Sequence, residues 1–159
     1  MRYVRVTRTG GADVVNFLDP EPYLRELPGL ALPVGARAFA ADSDHYDFTG
    51  SRCVKDLRVG QLAVREAGFA KLAAELTFLP NRFKHFSGLV VRYDGVTNID
   101  LDANRSGPGT RVWPASPSLG DLQLDEILPT AGGCSHEIAF TGGTLLVECA
   151  DLEAEWLSE

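Results

Sequence analysis

Alternation of apolar and polar positions with a period of two dominates this chain. Near the C-terminus Ile138 and Phe140 share one parity, Thr141-Gly142-Gly143 follows, and Leu145, Val147 and Cys149 share the next parity. Two alternating runs around a glycine-rich turn predict a β-hairpin. The pattern continues through Leu152, Ala154 and Trp156 with Glu153 and Glu155 opposite, which predicts one further strand or an extension of the last. Upstream, Leu89, Val91 and Tyr93 alternate with Val90 and Arg92, Asp94-Gly95 supplies a tight-turn signal, and Val96 to Leu101 resumes the alternation. A second hairpin is expected there.

Two segments read less simply. From Phe69 to Leu79 the apolar positions Leu72, Ala74, Leu76 and Phe78 alternate, yet Leu62, Phe69, Leu72 and Leu76 also fit a helical stripe. Gly68 and the ending Leu79-Pro80 favour a strand, while the alanines keep a helix over Leu62 to Leu79 as the alternative. In the N-terminal third, Asp19-Pro20-Glu21 opens a short helix to about Leu27, Pro28-Gly29 stops it, and Gly29 to Gly35, holding Pro33, reads as loop. Asn104 to Thr110 and Trp113 to Ser118 are too rich in Gly, Pro and Ser to lie inside a sheet.

No internal repeat is present, and no alternation of strands with long helices supports a parallel sheet. The expected fold is a single domain over residues 1–159, mainly β with α+β as its variant. It is an antiparallel sandwich or half-barrel of about seven or eight strands with one or two short helices. Its core is drawn from Val4, Val6, Leu57, Leu76, Phe78, Leu89, Val91, Ile138, Phe140, Leu145, Val147 and Trp156.

Composition adds a sign to this picture. The 159 residues are 45% hydrophobic and 23% charged, ordinary globular values, and the formal charge is −7. No run of three Lys or Arg interrupts the acidic field, so nucleic acid and anionic membrane surfaces are excluded as partners and a basic protein is favoured. Arg outnumbers Lys twelve to three, the usage of a GC-rich bacterial genome. The N-terminal stretch has no apolar run of signal-peptide length and no apolar run reaches membrane-spanning length, so the expected location is the cytoplasm. Cys53, Cys134 and Cys149, an odd number in no paired spacing, read as buried small hydrophobes.

Chemistry is sought in four places. Asp100 to Ser106 spaces oxygen side chains at every second residue, but Arg105 stands where a calcium loop needs Gly and Arg111 where it needs Glu, so no metal is assigned. Asp42-Ser43-Asp44-His45-Tyr46-Asp47 concentrates three carboxylates and an imidazole, and is read as an exposed acidic loop for a basic partner. Cys134-Ser135-His136-Glu137 places Cys134 and His136 on one strand face. If the protein were an enzyme, His45, His136 and Glu137 would be its acid or base groups. Arg82-Phe83-Lys84-His85-Phe86 is a small basic and aromatic cluster whose phenylalanines are expected to cover a sandwich end. With no nucleotide-binding, zinc-protease or nucleophile-elbow string, no cofactor is expected.

Residues 50 to 157 resemble small β-rich bacterial immunity proteins, those encoded beside polymorphic or contact-dependent toxins. The resemblance rests on Cys53 to Val59, Gly88 to Val96, and the terminal hairpin from Ser135 to Cys149 closed by Asp151, Leu152 and Trp156. Several such proteins open a strand with His-Asp where this chain has Lys55-Asp56. It implies a toxin-binding inhibitor without specifying which residues bind. The expected function is therefore non-enzymatic binding of a basic protein. The alternative is a cofactor-free enzyme or small-ligand binder using a pocket within the strands.

Overall fold

Period-two segments form strands, and a computed structural model that describes residues 1–9, 15–103 and 119–158 holds ten of them among those residues. Strands β1 (Arg5–Thr9) and β2 (Val15–Asp19) form an antiparallel ribbon. Helix α1 (Glu21–Glu26) runs into a 3-10 turn at Leu27–Gly29, and helix α2 (Val34–Ala40) follows. The remaining strands are β3 (Arg58–Glu66), β4 (Leu72–Leu79), β5 (Leu89–Asp94), β6 (Asn98–Asp102), β7 (Leu122–Thr130), β8 (Gly133–Phe140), β9 (Thr144–Cys149) and β10 (Asp151–Trp156).

They form two four-stranded antiparallel sheets ordered β10-β5-β4-β3 and β6-β9-β8-β7. The fold is mainly β, as the alternation requires. Leu76, Phe78, Val91 and Leu152 of the first sheet and Ile127, Ile138, Leu145 and Val147 of the second belong to one buried cluster. Of the expected core, only Val6 and Trp156 stay partly exposed. Among the described residues, no helix is long and apolar enough to cross a membrane.

Two local expectations are corrected, and the strand expected between Phe69 and Leu79 is found as β4. The alternating runs on either side of Asp94-Gly95 do not pair with each other: β5 lies between β10 and β4, whereas β6 pairs with β9 in the opposite sheet. Gly95, at φ +60°, turns the chain away, and the amides of Val96 and Thr97 bond Leu72 O and Glu148 O, so this turn carries the chain between sheets. The stretch from Leu62 to Leu79 is two strands joined across Ala67 to Lys71, with Leu62 facing Leu76. The loop expected from Gly29 to Gly35 ends two residues earlier, at Pro33, because α2 begins at Val34. The Asn104 to Thr110 and Trp113 to Ser118 segments, and residues 104–106 of the calcium-like string, lie outside the described residues.

Helix α2 owes its place to one carboxylate. Asp151 at the start of β10 accepts hydrogen bonds from the amides of Gly35 (3.1 Å) and Ala36 (2.9 Å), two donors that the first helical turn leaves open. A Cβ at position 35 would stand 2.1 Å from Leu152 O, so only glycine lets the helix lie this close to β10. On the other flank, the Tyr23 hydroxyl of α1 donates to Ile127 O at 2.7 Å and accepts from Ile127 N at 3.3 Å. This satisfies the outward backbone of β7, an edge strand that would otherwise invite pairing.

Leu76 is fully buried between the sheets. We expect Leu76→Ala to lower unfolding free energy in urea by about 2–5 kcal/mol, because the strands around the void cannot collapse to fill it. A change within experimental error would show that the inner faces are not close-packed.

Candidate functional site

The chain from Ala41 to Leu57 runs beside β7 and divides its polar side chains between two environments. Asp42, Asp44 and Asp47 are exposed. Asp42 Oδ1 accepts the amide of Asp44 at 2.9 Å, and Asp47 Oδ1 accepts the Thr49 amide (3.0 Å) and hydroxyl (2.7 Å). Those two Thr49 bonds hold the Asp47 carboxyl below its ordinary value, so it is ionised. His45 and Tyr46 depart from the exposed loop that the sequence predicts. His45 is 2% exposed and Tyr46 is half-buried, both turned beneath the loop they belong to.

What draws them in is Asp125, a carboxylate on the inner face of β7 that belongs to none of the sequence motifs. His45 Nε2 stands 2.8 Å from its Oδ1 and His136 Nε2 stands 2.9 Å from its Oδ2, with all three side chains essentially sealed from water. Tyr46 donates its hydroxyl to the Asp125 backbone carbonyl at 3.0 Å. Tyr93, across the sandwich on β5, meets His136 Nδ1 at 2.9 Å. Burial pushes the Asp125 carboxyl up, but the charges and hydrogen bonds of the two imidazoles outweigh it and hold the group well below its ordinary 3.8.

Hydrogen-bond partners assign the protons. His45 Nδ1 faces Phe39 O at 3.0 Å and its Nε2 faces a carboxylate, and neither oxygen can donate. Both nitrogens bond only when both carry protons, so His45 is an imidazolium, placed over the last carbonyls of α2. His136 needs one proton: it donates from Nε2 to Asp125 and accepts at Nδ1 from the Tyr93 hydroxyl, whose pKa burial raises. His85 likewise accepts the Asn81 amide at Nδ1 (3.0 Å) and donates from Nε2 to Cys53 O (2.8 Å). Burial lowers its pKa, in keeping with the neutral ring.

This arrangement has the components of acid–base chemistry but lacks access. Among the described residues every buried side-chain nitrogen and oxygen has a partner, and no three His, Cys, Asp or Glu side chains converge as metal ligands. Cys134 shares the inner face with His136 but contacts Cys149. Glu137 lies on the outer face of β8, bonded to the Met1 amino group. The three candidate catalytic residues therefore do not form one site: His45 and His136 are joined through Asp125 and pack on the Phe39 ring, and Glu137 is apart.

Comparison with known proteins finds no family model and no curated protein that matches the chain.

Beside the loop lies an open groove of about 540 Å³. Leu24, Leu27, Pro28, Ala40 and Tyr46 supply apolar wall, and Asp42, Ser43 and Asp47 line it as well. Arg37 also lines it, its guanidinium held by Leu27 O and Leu30 O, so one cation and the carboxylates of Asp42 and Asp47 share the groove. At the other named cluster, Phe83 and Phe86 stand out in water instead of covering the sandwich end, while His85 between them is buried. Asn81 causes this: its carbonyl accepts the amides of Lys84 and His85, folding a tight turn that points the histidine inward.

Asp125→Asn removes the counter-charge of a buried imidazolium. We expect unfolding free energy near neutral pH to fall by about 3–5 kcal/mol. Because the folded pKa of Asp125 lies below its unfolded value, its contribution is present above pH 3.8 and lost as pH falls below it. The variant should lack that part of the acid-induced loss. Denaturant titrations at pH 7 and across the acid range measure both, and an unchanged acid slope would refute the ion-pair assignment.

Proposed function

We propose that this chain is a non-enzymatic binding protein that takes a basic segment of a partner protein on the Asp42–Asp47 loop and the adjoining groove. The observation that carries this reading is the division within the loop. His45 and Tyr46 anchor it to Asp125 in the core, so the carboxylates of Asp42, Asp44 and Asp47 are held outward on a fixed frame. An ordered loop loses little conformational entropy on binding.

Groove and rim together suit an Arg or Lys side chain. Its methylenes lie on Leu24, Leu27 and Pro28, while its charged head reaches Asp42 and Asp47. The net charge of −7 steers such a partner from a distance. Catalysis by His45 or His136 fits less well, since both rings are sealed and their nitrogens occupied. The resemblance of residues 50 to 157 to bacterial immunity proteins extends the proposal: the partner is a basic toxin and the chain its cytoplasmic inhibitor. A small organic cation is the second reading, favoured by a groove volume typical of ligand pockets.

The test begins with arrayed peptides rich in Arg and Lys, from which the tightest binder is taken into association kinetics. Replacing Asp42, Asp44 and Asp47 together with Asn keeps the turn-forming oxygens and removes the charge. We expect association at low salt to slow by about tenfold or more and its salt dependence to flatten. Unfolding free energy should stay within about 0.5 kcal/mol of wild type. Equal rates at every ionic strength would overturn the reading, and binding of small cations without peptides would favour the second.

A further inference from the structure

Cys134 and Cys149 are directly opposite each other on β8 and β9, and both side chains point into the core. Their sulfurs stand 3.7 Å apart, while Cys53 lies elsewhere, under the loop that carries Lys84 and His85. The register fixes the backbone separation of the pair. Phe140 N bonds Gly143 O at the hairpin, and counting back by twos makes 134 and 149 a hydrogen-bonded pair. Such a pair has a Cα separation of about 5.5 Å, inside the range of about 4.4–6.8 Å that a disulfide spans.

We propose that Cys134 and Cys149 are a reversible oxidation site, which a small peroxide converts to a disulfide that staples β8 to β9. The sulfur-to-sulfur hydrogen bond divides the labour. One thiol donates to the other sulfur, which is thereby the readier thiolate, and Cys134 is taken as that acceptor. The Cys134 thiolate attacks one peroxide oxygen, forming an S–O bond and breaking the O–O bond, and hydroxide leaves. Cys149 sulfur then attacks Cys134 sulfur, the S–S bond forms, the S–O bond breaks, and water departs with the Cys149 proton. Two thiols lose two electrons in total, and one peroxide is reduced to two waters.

A small oxidant is the fitting class, because Cys134 is fully buried and Cys149 is 3% exposed. Entry is by fraying of the strand ends: Cys149 ends β9 before exposed Ala150, and Cys134 follows the Gly132-Gly133 turn. Cys53 has no sulfur neighbour among the described residues, and burial pushes its thiol up, which leaves it reduced under the same treatment.

The folded protein is treated with hydrogen peroxide, then denatured, alkylated, digested and mapped by mass spectrometry. We expect a peptide linked through Cys134 and Cys149, a mass lower by two hydrogen atoms, and free thiols falling from three to one per chain. Dithiothreitol should restore all three. Oxidised protein should melt at a higher temperature than reduced, since the cross-link restricts the unfolded chain. The map needs only the wild-type protein, so it does not depend on whether Cys134→Ser or Cys149→Ser folds. Cys134 and Cys149 recovered as free thiols, as sulfinic or sulfonic acids, or linked to Cys53 would overturn the proposal, as would a lower melting temperature.

Discussion

A carboxylate buried on the inner face of β7 must be neutralised and hydrogen-bonded where it stands, and the arrangement around Asp125 meets that constraint. Taking the charge out of water costs several kcal/mol, which only close and well-directed partners offset. The partners come from three different parts of the chain. His45 reaches Asp125 from the loop after α2, His136 from β8, and Tyr93 extends the line to the other sheet. At the far end, Phe39 O ties His45 to α2. One unbroken chain of hydrogen bonds therefore joins the helix to the loop and the loop to both sheets.

The worth of this chain is positional more than energetic. An apolar trio of the same shape could make the core as stable. It could not hold the loop at one depth, because dispersion forces have no direction and a hydrogen bond does. The loop is thereby suspended from its middle, with aspartates displayed on either side of an anchored histidine. The same rule governs Glu126, the next residue on β7, whose buried carboxylate accepts the amides of Arg2, Tyr3 and Val4 and draws the N-terminal residues onto the opposite face of the strand. Interior carboxylates organise the backbone here, and three exposed carboxylates stand together on the surface loop.

Strand content was legible in the sequence because burial of one face imposes a period of two wherever it occurs. The terminal hairpin, the inner faces of β4 and β5, and most of the core were readable without coordinates. The loop carboxylates were readable too, since clustered Asp between short turns has no place in a sheet. Asp125 was hidden from alternation: it shares parity with Gln123, opposite Leu122 and Leu124, and the register irregularity between Leu122 and Leu124 turns it inward beside Ile127.

The pairing of strands and the depth of side chains were decided by tertiary structure. Alternation is identical for a strand that pairs with its neighbour in sequence and for one that crosses to another sheet, so the Asp94-Gly95 turn looked like a hairpin and is a crossover. His45 illustrates the same limit. Its neighbours in sequence are solvated aspartates, and its partner is 80 residues away. Cys134 and Cys149 are brought face to face by a register that their spacing does not encode. By itself the sequence determined which positions are apolar and with what period, hence a mainly β chain with an acidic surface. Which polar groups meet inside depended on long-range packing, because a hydrogen bond is specified by distance in space, whereas a hydrophobic pattern is specified by position along the chain.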